Sequence, residues 1–147
     1  MIRRRVFDSR FYFRFILIFV LFTASPGICQ NVSAEEAAAD RIALEAAVMC
    51  EAVKDLQPIN PAIAFSITIG KVICYTEFTG IPRETVVLHR WYRRDVLVTE
   101  KKLALKPPRW STFSSIQLRE SDKGPWRVNI VNSDEQTLKI LRFSVTE

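Results

Sequence analysis

The chain beyond about residue 47 consists of short apolar runs separated by turn residues. The runs are rich in Val, Ile, Thr and aromatic residues, which is typical of β-strands, and the breaks hold Pro, Gly, Asn and Asp. Alternation places Leu141, Phe143 and Val145 on one face of the last run. We predict strands over residues 47–53, 65–78, 84–92, 96–105, 111–119, 126–132 and 137–146.

This number and spacing of strands predict an all-β fold, a seven-stranded antiparallel immunoglobulin-like sandwich. The Cys, Trp, Cys order of antibody domains is absent, because Cys50 and Cys74 both precede Trp91. We therefore expect a sandwich whose strands are connected differently from those of an antibody domain.

The amino-terminal segment has the pattern of a secretory signal peptide. An unbroken apolar run over residues 15–22 follows an arginine-rich start and precedes small residues. The run is shorter than the roughly 20 residues of a transmembrane helix. Small residues allow cleavage after Cys29 or after Ala34. We favour Cys29, because Ser33 begins a helix capping box that the later cut would remove.

Three regions follow from these patterns: a signal peptide over 1–29, a helical spacer over 30–47 and a β-sandwich domain over 48–147. The spacer is rich in Ala and other good helix formers. We expect an exported protein of the periplasm or cell envelope. The alternative is an uncleaved leader that anchors the domain in the membrane.

The net charge of the 147-residue chain, +5, belongs mostly to the leader. Residues 1–29 carry five arginines and one aspartate, and residues 30–147 are nearly neutral. A basic overall balance would otherwise suggest nucleic acid as a partner. Its location in the leader argues against that class of partner, which an exported protein does not meet.

The remaining charge is concentrated in one predicted hairpin, residues 90–109, which is locally +5. Such a hairpin could contact an envelope protein, an acidic glycan or an anionic lipid. It could equally be a charged edge that resists aggregation. The candidate binding residues are His89, Arg90, Trp91, Arg93, Arg94, Lys101, Lys102, Lys106, Arg109 and Trp110.

The uncharged members of this set have two interpretations. His89 and Trp91 share a strand face, where a histidine could contact a ligand or be held within the sheet. We expect Trp91 and Trp126 in the core, since each ring brings a large apolar area. Trp110 follows two prolines at a loop edge, so it could be core or part of a sugar-stacking surface.

If cleavage removes Cys29 with the signal peptide, the mature protein has two cysteines, Cys50 and Cys74. An even number of cysteines in an exported chain suggests a disulfide, and adjacent antiparallel strands could bring the two within bridging range. The alternative is two buried free thiols. With His89 they would make an incomplete zinc set, so we expect no metal and no cofactor.

Several segments together resemble the bacterial family called domain of unknown function 2914. They are Cys50 to Val53, Gly70 to Thr76, His89 to Tyr92, Trp110 to Ser115 and Gly124 to Val128. The resemblance spans about residues 48–146. It implies a small protein, often associated with the envelope, and implies no activity. The sequence departs from the family pattern at Ser111 and Ile116, where basic residues are common.

The sequence lacks the usual catalytic motifs for serine hydrolases, zinc proteases and nucleotide-binding enzymes. We therefore expect no catalytic residues and a cell-envelope binding or accessory module that contacts a protein, glycan or anionic lipid. One alternative is a small periplasmic enzyme or thiol-redox protein using His89 with Cys50 or Cys74. Another is a structural domain held by an uncleaved anchor.

Overall fold

The computed structural model describes residues 42–147, which form a sandwich of two β-sheets. The predicted signal peptide and most of the predicted helical spacer lie outside these residues. The strands are β1 (Ala43–Lys54), β2 (Gln57–Pro61), β3 (Ala64–Ser66), β4 (Lys71–Thr79), β5 (Thr85–Arg93), β6 (Val96–Leu105), β7 (Trp110–Gln117), β8 (Gly124–Asn132) and β9 (Thr137–Thr146).

One sheet has the strand order β2-β1-β4-β7, and the other has the order β3-β9-β8-β5-β6. All neighbouring strands are antiparallel except β3 and β9, which are parallel. The predicted all-β sandwich is confirmed. The described residues contain no helix of the length and apolarity needed to cross a membrane.

The predicted number of seven strands was wrong, because the described part of the chain has nine. The apolar run over 65–78 contains two strands, separated by a short 3-10 turn that ends at Gly70. Gly70 has a φ of +70°, a conformation that glycine adopts without steric cost. Strand β2 was not predicted, because it contains Pro58 and Pro61 and proline usually indicates a break between strands. It lies at a sheet edge, where proline is tolerated.

Strand β1 begins at Ala43, before the domain boundary predicted at residue 48. The good helix formers of this segment pair with β4 instead, from Ala43 opposite Thr79 onward. Leu44 and Ala47 pack against the core cluster that contains Phe78. Pairing and burial therefore outweigh local helix propensity over residues 43–47.

Most of the core lies between the two sheets. Its centre is a group of aromatic rings around Phe143, whose ring stacks on Trp126 and meets Trp91 and Phe65 edge to face. Trp91 and Trp126 are therefore core residues, as expected. Phe143 contributes to the core through three aromatic neighbours at once.

A smaller apolar cluster of Cys50, Ile73 and Tyr75 lies on the opposite face of the four-stranded sheet. The β1–β2 hairpin covers it, since Val53 packs against this cluster. The Tyr75 hydroxyl also donates a 2.9 Å hydrogen bond to the carbonyl oxygen of Leu56 at the hairpin turn. The hairpin thus bends over the sheet and gives its outer face a core of its own.

Candidate functional site

His89 and Trp91 lie on the same inward face of β5, and both are completely buried. Trp91 belongs to the main apolar cluster. The sequence placed them correctly on one strand face. Their burial keeps both side chains away from any macromolecular partner on the surface.

His89 is the centre of a buried hydrogen-bond network that joins the two sheets. Its Nδ1 lies 2.8 Å from the hydroxyl of Ser114, and its Nε2 lies 3.2 Å from the hydroxyl of Thr76. Trp91 Nε1 donates to the same Ser114 oxygen at 3.1 Å. The Thr76 hydroxyl donates to the carbonyl oxygen of Thr112 at 3.3 Å.

The donors and acceptors fit one arrangement in which every group is satisfied. An indole N–H can only donate, so Ser114 accepts from Trp91. The Ser114 proton then has Nδ1 of His89 as its acceptor when that nitrogen carries no proton. Thr76 donates to the Thr112 carbonyl, so it accepts from Nε2–H of His89. This fully satisfied arrangement is that of a neutral imidazole with its proton on Nε2.

Burial acts in the same direction and lowers the pKa of His89 to about 4. A second proton, on Nδ1, would reverse the bond to Ser114, whose oxygen would then accept from both Trp91 and His89 and whose own proton would lose its acceptor. His89 is therefore neutral throughout the neutral pH range.

The contact between Ser114 and His89 has the residue types of a nucleophile and its base. In such a site the histidine takes the serine proton, and a further group orients the imidazole. Here the group on the other ring nitrogen is the neutral hydroxyl of Thr76, and Ser114 is only 6% exposed. These features are those of a buried structural network, which fixes β5 against β4 and β7.

Cys50 and Cys74 are both buried and both free, so the predicted disulfide is absent. The register explains this. Cys50 pairs with Ile73, and Cys74 pairs with Met49, so the two cysteines are one residue out of step. Their side chains point to opposite faces of the sheet, which bars a bridge. Burial raises the pKa of both thiols.

The described residues contain no group of three or more His, Cys, Asp or Glu side chains that could hold a metal ion. Cys50 and Cys74 face away from each other, and His89 is held by Ser114 and Thr76. The structure therefore does not bring these three predicted candidates together.

Three of the seven basic residues in the predicted hairpin are neutralised by carboxylates. Arg90 binds Glu100 and Glu135, which lie 2.5 and 2.7 Å away. Arg93 binds Asp122 at 2.7 Å, and Arg109 pairs with Glu77. The uncompensated charge is therefore smaller than the sequence suggests.

Four basic residues of the hairpin are exposed and have no ionic partner within residues 42–147: Arg94, Lys101, Lys102 and Lys106. Lys106 lies over the ring of Trp110, with its Nζ 5.5 Å from the ring centroid. Trp110 is 37% exposed. The four basic residues lie on or next to β6, which is an edge strand of the five-stranded sheet.

A shallow groove runs along β6 on the side that faces β7. At one end it is lined by Arg94 and Val96, and at the other end by Leu103 and Phe113. Its middle section, of about 420 Å³, lies between Val98 and Lys101 of β6 and residues 115–119. We call this the β6 groove.

Arg119 is the basic residue of this surface that the sequence did not indicate. It lines the β6 groove and is exposed. It lies outside the predicted hairpin, and only the packing of the two sheets brings it near β6. Thr76 could have been noticed in the sequence, because it is a polar residue between the apolar inward positions Cys74 and Phe78. Ser114 could not, because Thr112 precedes it on the same face of β7.

The family comparison bears on this part of the chain. Residues 84–145 match the family model described as Protein of unknown function (DUF2914). This match confirms the resemblance to the family and contains the motifs His89 to Tyr92, Trp110 to Ser115 and Gly124 to Val128, whereas Cys50 to Val53 and Gly70 to Thr76 lie before it. The DUF2914 match includes His89, Ser114 and the whole of β6 and β7, and it leaves out β1 to β4. The description carries no activity to transfer.

Comparisons beyond the family add little. No curated protein matches the chain. Among solved structures, the chain is similar to a crystal structure of a beta-glucosidase from Listeria innocua in complex with glucose. The identity is 10% and the TM-score is 0.45, over 73% of this chain and 16% of that one. The chain thus spans less than a fifth of that enzyme.

Proposed function

We propose that this protein is a non-enzymatic binding module of the cell envelope that contacts an anionic partner along β6. The partner is an acidic protein surface, an acidic glycan or an anionic lipid. The observation that carries the proposal is the row of basic residues without ionic partners in the described chain: Arg94, Lys101, Lys102 and Lys106.

The row extends over the whole length of β6, and Lys101 and Lys102, which are adjacent in the strand, point to opposite faces of it. Strand β6 has ten residues and so extends about 30 Å at roughly 3.3 Å per residue. Arg94 precedes it and Lys106 follows it. A row of this length suits an extended or planar anionic partner better than a small ligand, which would need converging groups. The charge would also attract such a partner from a distance.

The buried groups support a binding role over catalysis. The imidazole of His89 is neutral and enclosed, and both of its nitrogens are engaged by side chains of the core. Cys50 and Cys74 are buried, with raised thiol pKa values and side chains on opposite faces. Reactive cysteines usually have lowered pKa values and partial exposure.

The envelope location rests on the leader pattern over residues 1–29, which lies outside the described residues. Export would separate the protein from the nucleic acids of the cytoplasm, which would otherwise compete with other anionic partners for the basic residues. Cleavage would release the domain, and retention of the leader would keep it at the membrane. Amino-terminal sequencing of the mature protein distinguishes the two, since a start at Gln30 or Glu35 means cleavage.

The test is charge reversal with a matched control. One variant replaces Arg94, Lys101, Lys102 and Lys106 with Glu. The control makes the same change at four exposed basic residues elsewhere, Lys54, Lys71, Arg83 and Lys139. The probes are vesicles containing phosphatidylglycerol, oligoglutamate and alginate, at low salt.

We expect the unchanged protein to bind at least one probe, with affinity that falls as salt rises. Reversal along β6 should weaken that binding by at least about tenfold, and the control should weaken it much less. No binding to any probe, or equal losses in the two variants, would contradict the proposal.

A further inference from the structure

Strand β6 is a free sheet edge. It pairs with β5 on one side and has no strand neighbour on the other among the described residues. Alternate backbone N–H and C=O groups of such a strand are therefore available to a further strand. Nearly all of β6 is exposed, and only Leu105 at its end is buried.

The need to prevent aggregation through the free edge explains the residues in only one half of β6. Lys101 and Lys102 lie in its second half, where charged side chains discourage chance pairing. The first half is Val96, Leu97 and Val98, and these side chains are 67%, 50% and 53% exposed. An edge built only for protection would not leave three apolar residues open in a row.

The β6 groove lies beside this edge and has room for an additional extended segment. Val98 lines two of its sections and is the extra residue of a β-bulge, since Trp91 pairs with Thr99 and Tyr92 with Leu97. On the far side Ile116 and Trp126, both buried, line the middle section together with the polar residues Ser115, Gln117 and Ser121. An extended segment paired with β6 would place alternate side chains over this groove, against Val98 and the polar residues beside it.

The charge of the groove selects an acidic occupant. Arg94, Lys101, Lys102 and Arg119 line it without ionic partners in the described part of the chain. Its two acidic residues, Glu100 and Asp122, are already paired with Arg90 and Arg93. The groove thus presents a net positive charge.

We propose that the β6 groove binds an extended, acidic segment of a partner polypeptide, which adds to the five-stranded sheet as a strand next to β6. This inference rests on the proposed function and names the partner class. Main-chain hydrogen bonds to β6 give the affinity, and alternate side chains give the specificity. Glycans and lipids have no backbone to complete the edge, and Trp110, the exposed ring suited to sugars, does not line the groove.

The test separates backbone pairing from charge attraction. The probe is a fluorescein-labelled peptide of alternating Glu and Val, with about eight residues to span the groove at roughly 3.3 Å each. A second peptide has the same sequence and charge with every backbone nitrogen methylated. Fluorescence anisotropy gives the two affinities, and amide hydrogen exchange reports on β6.

Strand addition predicts that methylation weakens binding by at least about tenfold, because several backbone hydrogen bonds are lost. It also predicts slower exchange of β6 amides in the complex with the unmethylated peptide. Equal affinities for the two peptides, or unchanged exchange along β6, would overturn it. If both peptides bind equally well, and if replacement of Lys101 and Lys102 with Glu abolishes the binding of both, the proposed function stands without strand addition.

A point variant tests the groove itself. Val98→Asp puts a negative charge into the groove, and Ile140→Asp makes the same change at a similarly exposed strand position outside it. Both variants should keep the fold, which circular dichroism checks. We expect Val98→Asp to weaken peptide binding at least about tenfold and Ile140→Asp to leave it nearly unchanged. Equal effects, or binding of anionic vesicles with no binding of the peptide, would overturn the inference.

Discussion

The hydroxyl of Ser114 lies 2.8 Å from Nδ1 of His89, and this contact joins one sheet of the sandwich to the other. Ser114 is on β7 and His89 is on β5. The second ring nitrogen contacts Thr76 on β4, so a single imidazole connects three strands. A fully satisfied polar network in a core fixes one arrangement of the sheets, because any displacement leaves buried groups unpaired.

Replacement Ser114→Ala should destabilise the domain by about 2 to 3 kcal/mol, because it leaves the Trp91 N–H and Nδ1 of His89 buried without partners. Urea unfolding measures the loss. The matched control is Ser115→Ala on the same strand, which should cost less than about 0.5 kcal/mol. Similar losses in the two variants would mean that the network contributes little.

Stability should fall as the pH drops below about 6.5, through the protonation of His89 in the unfolded chain. The native state lowers the pKa of His89 to about 4, so between these values the unfolded state binds more protons. The stabilisation is complete above pH 6.5 and is lost as the pH falls to 4. Its full size is about 3 kcal/mol.

Unfolding free energies measured from pH 4 to pH 8 test this dependence. The control is His89→Gln, which is less stable throughout and should lack the component that changes between pH 4 and 6.5. A wild-type profile that is flat in this range, or one that His89→Gln shares, would contradict the assignment of a neutral buried imidazole.

Cys50 and Cys74 should behave as two independent, protected thiols. Burial raises the pKa of each, so both should react with a thiol reagent slowly in the native protein and rapidly in denaturant. Because they face opposite sides of the sheet, a reductant should leave the melting temperature unchanged. A bridge between them by mass spectrometry, or a lower melting temperature on reduction, would refute the register of β1 and β4.

The ring of Phe143 should contribute more to stability than an exposed ring of the same type. It contacts Trp126, Trp91 and Phe65, with centroids about 6 Å apart. Phe143→Leu should cost about 1 to 2 kcal/mol in urea unfolding. Phe113 is 45% exposed, and Phe113→Leu should cost less than about 0.5 kcal/mol. Equal losses of unfolding free energy in Phe143→Leu and Phe113→Leu would contradict a central role of Phe143 in the core.

Period-two patterning predicted the strands that are bounded by clear turns, and β5 and β6 lie within a residue of the prediction. It missed β2, because prolines signal a break unless the strand is known to be an edge. Helix propensity placed residues 43–47 in a helical spacer, because Ala and Glu favour helix, whereas in the fold these residues pair with β4. Local sequence carries no information on either point.

The candidate site was only partly predictable for a similar reason. The basic residues of the predicted hairpin, residues 90–109, are close together in sequence, so their concentration was visible. Their neutralisation was not, because Arg93 pairs with Asp122 and Arg109 with Glu77 across the fold. The position of Arg119 in the groove and the opposite directions of Cys50 and Cys74 depend on sheet packing and register, which one sequence does not specify.

Amide chemical shifts during a titration with oligoglutamate show directly whether an anionic partner contacts β6. The largest changes should fall at Arg94, along Val96–Leu105 and over residues 115–119, with little change at β2 and β3, which are the far edge strands of the two sheets. Largest changes at β2 and β3, or changes spread evenly over the surface, would contradict this contact.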